Sequence, residues 1–256
     1  IKFGGHAMGE QASIEAFASD IVLLRQVGAK PVVVHGGGPQ IGSMLERLKM
    51  ESNFIDGLRV TDQQTISIVE MVLAGAINKS LVASISSAGG MAVGISGKDG
   101  NLIKAEKLAH KTKVSDSAIE NLVDLGYVGI PEKVDTQVLD ALIGSGMIPV
   151  VAPLGLGADG KTYNINADTA AGSIASALGA SRLLMLTDVE GVYDKSPSEE
   201  GAKMLELYVE KSSNVSIGAK SAQGKFLSFV TRYLFRAVKM FYIATATQVS
   251  RSNSYL

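Results

Sequence analysis

Apolar positions along the first three quarters of this chain alternate between two periods. Between residues 10 and 27, Ile14, Phe17, Ile21 and Leu24 recur at helical spacing, which places them on one face of an amphipathic helix. Residues 31–35 form an unbroken run rich in valine, the pattern of a parallel strand buried on both faces. A glycine cluster follows, and then another helix. Further along, 65–87 predicts helix and 92–96 strand. Lys98-Asp99-Gly100 reads as a hairpin-like turn into a strand at 102–105. Helix is predicted at 136–144 and 167–178, and strand at 147–152 and 182–187. Repeated exchange of strand and helix predicts an α/β fold, a three-layer α/β/α sandwich on a mainly parallel sheet.

Composition narrows the function. The chain has 256 residues, 46% hydrophobic, with a formal net charge of −1. That size suits one large α/β domain or two closely packed lobes, and the charge gives no general pull toward nucleic acid or anionic membrane. Cysteine is absent, so thiolate catalysis, disulfides and cysteine metal sites are excluded. His6, His35 and His110 are too scattered to predict a zinc site. No uncharged apolar run reaches the roughly 18 residues of a membrane span, and no signal peptide is expected within this sequence. A cytoplasmic protein is expected.

The tail departs from this pattern. Residues 203–256 hold eight of the 24 Lys/Arg and two of the 25 Asp/Glu, with eight of the 14 Phe/Tyr and two of the 28 glycines. A basic amphipathic helix is expected at 226–242, packed as a terminal helix or laid on a partner or membrane surface.

Candidate chemistry gathers at two glycine loops. Lys2-Phe3-Gly4-Gly5 closes the first strand, and His35-Gly36-Gly37-Gly38-Pro39 closes the second. In open parallel sheets ligands collect where strands end and helices begin. A residue without Cβ lets backbone N–H groups approach phosphoryl oxygens, and the next helix N-terminus favours negative charge. Two such loops side by side predict an anion cradle, with Lys2 as its cation. Tight strand–helix turns without a ligand are the alternative. A P-loop is excluded because Gly97-Lys98 runs into Asp99, and no G-x-G-x-x-G fingerprint is present.

At these residues the chain resembles the amino acid kinase family. Ile1-Lys2-Phe3-Gly4-Gly5 is similar to its opening strand and loop, and 34–39 to its second glycine loop. Within that family, Gly57-Leu58-Arg59-Val60-Thr61-Asp62 and Asn164-Ile165-Asn166-Ala167-Asp168 resemble the N-acetylglutamate kinases, and 186–193 resembles the adenine-nucleotide strand and loop. The resemblance covers 1–195.

It implies phosphorylation of the side-chain carboxylate of N-acetyl-L-glutamate by ATP, with Mg²⁺ accompanying the nucleotide, in arginine biosynthesis. The product would be an acyl phosphate. It also implies a homo-oligomer, a dimer or hexamer. Lys2 would stabilise the transferring phosphoryl group, which the backbone of Gly5, Gly37 and Gly38 would bind. Arg59 would clamp a substrate carboxylate, Asn164 would bind the substrate, and Asp168 would hold the catalytic lysines. Asp168 equally suits a plain helix N-cap. Thr187, Asp188 and Tyr193 would lie near the nucleotide. Residues 1–164 would form the amino acid lobe and 165–256 the nucleotide lobe.

One element of the family pattern is missing. A second catalytic lysine normally stands in a Gly-Gly-Met-Ile-Pro-Lys-like segment, and Lys220 is its nearest counterpart here. Three readings of the tail stay open: a divergent working lobe, a reading frame shifted near 202–203, or a chain that binds ligand without turnover. Another kinase of the same family is the remaining alternative.

Overall fold

Val33 and Val34, neighbours on one strand, point into different hydrophobic cores, and that alternation sets the layering. The structure, a computed structural model, describes residues 1–5, 7–55, 57–113, 120–187, 201 and 241–245. In chain order the first elements are β1 (Lys2–Phe3), α1 (Gln11–Gln26), β2 (Val33–His35) and α2 (Gly38–Arg47). A two-stranded hairpin, β3 (Phe54–Ile55) and β4 (Leu58–Arg59), precedes α3 (Gln63–Glu70). A π-helical stretch (Met71–Ile77) runs on into α4 (Asn78–Ser87), making one continuous helix. Then come β5 (Ala92–Ser96), β6 (Ile103–Lys113), β7 (Glu120–Val134), α5 (Gln137–Gly144), β8 (Ile148–Ala152) and β9 (Leu154–Gly157). The last are β10 (Thr162–Ile165), α6 (Ala167–Ala177), β11 (Leu183–Thr187) and β12 (Phe241–Thr245).

Six strands form the main sheet in the order β12-β11-β1-β2-β8-β5, all pairs parallel. One core takes Val33, Ile148, Val150 and Leu186 from the sheet and packs them against α1, α2 and the long helix. The other takes Val34, Val151, Leu183 and Met185 and packs them against α5 and α6. Side chains of period two thus feed a helical layer on each face, and the expected α/β/α sandwich is present.

The long helix, Gln63–Ser87, is long and apolar enough to cross a membrane. Its Ile66, Val69, Leu73, Leu81 and Ile85 instead lie in the first core, and Glu70 and Lys79 interrupt its apolar run.

Two expectations need correction. The turn after β5 does not close a hairpin. It is a 3-10 turn (Asp99–Asn101) with Gly100 at φ 59°. β5 stays in the main sheet while β6 enters a separate closed sheet of β10-β7-β6-β9. Asp99 holds the turn by accepting from Ser96 N and Oγ at 2.7 and 2.8 Å. The predicted helix at 226–242 also fails at its end: Phe241 and Tyr242 lie in β12, paired with Leu183 and Leu184. Residues 226–240 lie outside the described residues.

Candidate active site

β1 and β2 are adjacent and parallel, so their carboxyl ends deliver both glycine loops to the same edge of the sheet. A bond from Gly36 N to Phe3 O, 2.8 Å, ties the loops together. A Cβ placed on Gly5 would stand 3.1 Å from both Gly37 N and Gly38 N and 2.9 Å from Pro39 Cδ. No side chain fits there without parting the loops. The backbone N–H groups of Gly5, Gly37 and Gly38 have no acceptor among the described residues. Three free donors therefore stand together, with Gly38 opening α2.

The loops form one wall of a cleft of about 210 Å³ that also contains Lys2, Arg59, Leu73, Asn164 and Asp168. Lys2 Nζ stands 3.0 Å from Asp168 Oδ1. Asp168 is not the N-cap of α6. Asn166 takes that place, its side chain accepting from Asp168 N and Thr169 N at 2.9 and 3.1 Å. With the cap supplied two residues earlier, the Asp168 carboxylate is left to face Lys2 across the cleft.

Arg59 is 7% exposed. Its Nη2 donates to Gly38 O at 2.9 Å, its Nη1 to Ser52 Oγ, and its guanidinium lies 4.5 Å from the centre of the Phe54 ring. Burial lowers its pKa from the ordinary value. No carboxylate pairs with it among the described residues, so this buried cation at the cleft wall is compensated only by dipoles and a ring face. Asn164 lies on β10, and its side chain makes no hydrogen bond among the described residues.

The sequence therefore points to Lys2, Gly5, Gly37, Gly38, Arg59, Asn164 and Asp168, and the fold brings all seven to one cleft. Thr187 ends β11, beside the Lys2 strand. Asp188, Tyr193 and Lys220 lie outside the described residues. Sequence reasoning missed Gln40, which donates to Gly5 O at 3.1 Å; its position just after Gly-Gly-Gly-Pro was the available signal. It missed Phe54 and Ser52 too, which stand just ahead of the Gly57–Asp62 segment and outside it.

The sequence profile of the amino acid kinase family matches residues 1–226. An acetylglutamate kinase of Acidiphilium cryptum is 62% identical over 196 residues, 77% of this chain and 66% of that protein. One from Erythrobacter litoralis is 62% identical over 195 residues, 76% of this chain and 65% of that protein. This chain thus spans just under two thirds of the length of these relatives. The crystal structure of an N-acetylglutamate synthase from Neisseria gonorrhoeae, complexed with coenzyme A and N-acetyl-glutamate, superposes with a TM-score of 0.71 at 25% identity, covering 96% of this chain and 53% of that one. The paired glycine loops and the cleft they wall accord with a profile that runs through most of the sequence: the chain belongs to the amino acid kinase family.

Proposed function

We propose that this chain phosphorylates the side-chain carboxylate of N-acetyl-L-glutamate with ATP, a step of arginine biosynthesis. The observation that carries the reading is the buried Arg59, which has no carboxylate partner among the described residues, in the same cleft as Lys2 and three backbone N–H groups with no acceptor among those residues. Such a cleft suits two anions brought together, a carboxylate and a phosphoryl group. The relatives' names supply the acyl amino acid.

In the reaction, a substrate carboxylate oxygen attacks the γ-phosphorus and forms the new P–O bond. The bond to the β–γ bridging oxygen breaks, and ADP leaves with the electron pair. The nucleophile is already ionised near neutral pH, so no protein base has to take a proton. Arg59 orients a carboxylate of the acceptor through its planar fork. Asn164 offers its unused amide to the same substrate. Lys2, steered by Asp168, and the N–H groups of Gly5, Gly37 and Gly38 stabilise charge on the phosphoryl oxygens.

Mg²⁺ accompanies ATP in this reading. Among the described residues no three His, Cys, Asp or Glu side chains converge to hold a metal ion. Residues 1–164 serve as the amino acid lobe and 165–256 as the nucleotide lobe, with Thr187, Asp188 and Tyr193 near the nucleotide and Lys220 as the second lysine.

Hydroxylamine trapping of acyl phosphate tests this across N-acetylglutamate, glutamate, aspartate and carbamate. Product is expected with N-acetylglutamate, and Lys2→Met should lower its rate by about 10²–10³. Equal turnover of the other acceptors, or an unchanged rate in Lys2→Met, contradicts the reading.

A further inference from the structure

We propose that His35 and Asn78 are positioning residues, a neutral relay that aims the second glycine loop at the phosphoryl group. This rests on the function proposed above. Both side chains are fully buried beneath the loop. His35 Nδ1 lies 2.9 Å from Gly36 O, and Asn78 Nδ2 lies 3.2 Å from His35 Nε2. A carbonyl can only accept, so Nδ1 carries the proton and donates to it. Nε2 is then an acceptor, and the Asn78 amide donates to it. The two protons of Asn78 Nδ2 serve three acceptors, Val150 O at 2.9 Å and Ile95 O at 3.2 Å besides His35 Nε2, so one N–H is shared. The relay thus runs from two strands of the sheet, through a helix, into the loop. Burial holds the ring neutral, with its pKa lowered to about 4, which is what an accepting Nε2 requires.

The geometric consequence follows from peptide planarity. Gly36 C=O and Gly37 N–H share one trans peptide plane, and in such a plane they point in opposite directions. Pinning the carbonyl inward onto His35 directs the Gly37 N–H outward, toward the Gly5 loop. Gly36 is held at its other end by the bond from its N–H to Phe3 O. The long helix reinforces this from below: a Cβ on Gly37 would stand 2.5 Å from Ile77 Cδ1 and 2.6 Å from Leu73 Cδ2. Both residues belong to the π-helical stretch that ends just before Asn78. Extra residues in such a turn shift helical phase and are frequent beside functional sites. Neither His35 nor Asn78 lines the cleft, so each acts through the backbone alone.

The test compares the full chain with His35→Leu, which cannot donate, and His35→Asn, whose amide nitrogen can replace Nδ1. The backbone amide signals of Gly5, Gly37 and Gly38 are followed by NMR as inorganic phosphate is added, and acyl phosphate formation from ATP and N-acetylglutamate is measured beside them. We expect phosphate to shift those signals in the wild type and in His35→Asn but not in His35→Leu. We also expect kcat to fall at least about tenfold in His35→Leu, with KM for N-acetylglutamate changed less, and to recover in His35→Asn. If His35→Leu does not fold, Asn78→Ser takes its place, with the same loss of shift expected. Wild-type shifts that persist unchanged in His35→Leu or Asn78→Ser overturn the relay. A wild type whose glycine amides ignore phosphate overturns the cradle itself, and the relay with it.

Discussion

His35 makes a prediction that needs no ligand. Its folded pKa of about 4 lies below its ordinary 6.5, so the unfolded chain binds the proton first as pH falls. The contribution to stability is therefore whole above about pH 6.5, declines as pH falls toward 4 and is lost below that. The full loss amounts to about 3 kcal/mol. Urea unfolding at pH 7.5, 6.5, 5.5 and 4.5 should show this decline in the wild type and a shallower one in His35→Asn, which has nothing to titrate there. Parallel pH profiles for the two proteins would show that the imidazole is not held neutral. At the same scale, Arg59 illustrates what a motif can convey. Its Gly-Leu-Arg-Val-Thr setting marks the residue, yet the partners that hold its guanidinium, Ser52 and Phe54, carry no pattern of their own. Asn166 is the reverse case. An Asn ahead of Ala-Asp is an ordinary N-cap signal, and reading it would have freed Asp168 from that role.

The elements divide into those whose periodicity is strong and those built on exceptions. α1, β5, β8 and α6 each appear within a residue or two of expectation, because their apolar faces meet a core whose geometry the pattern mirrors. β7, β9 and β10 were illegible, and β6 was legible only at its start, where a strand is expected at 102–105. β7 contains Gly126, Gly129 and Pro131, which read as breakers. Each glycine has a packing reason visible only in the fold. A Cβ on Gly129 would meet Tyr163 Cβ at 2.7 Å, and one on Gly126 would strike Thr61 O. Gly126 also sits at φ 74°, and around it Thr61 N donates to Leu125 O and Tyr127 N donates to Thr61 O. This bridge ties the segment carrying Arg59 to the closed sheet. Gly126→Ala should therefore cost more than about 2 kcal/mol in denaturant unfolding. A cost below about 0.5 kcal/mol would mean that the bridge yields freely.

Across the whole molecule, the parallel sheet explains why the site is where it is. β1 lies between β2 and β11, so the Lys2 strand borders both the second glycine loop and the strand that ends at Thr187. β10 arrives from the other sheet and delivers Asn164, and α6 then turns Asp168 back toward Lys2. One cleft thus draws on residues separated by more than half the chain, brought together by strand pairing and by the Lys2–Asp168 ion pair. The basic, aromatic tail was legible as a break in composition, and its β12 completes one edge of the sheet; the helical expectation failed at Phe241 and Tyr242 because an amphipathic pattern does not reveal sheet pairing.

The central claim is that this cleft grips an acyl amino acid through Arg59. Calorimetric titration of N-acetylglutamate into the full chain and into Arg59→Leu tests it most directly, because it requires binding and no turnover. The account predicts saturable binding by the wild type and at least about a 30-fold weaker affinity in Arg59→Leu, in keeping with the loss of a charge-assisted pair. Equal affinity in the two proteins, or no heat of binding in the wild type, would contradict it.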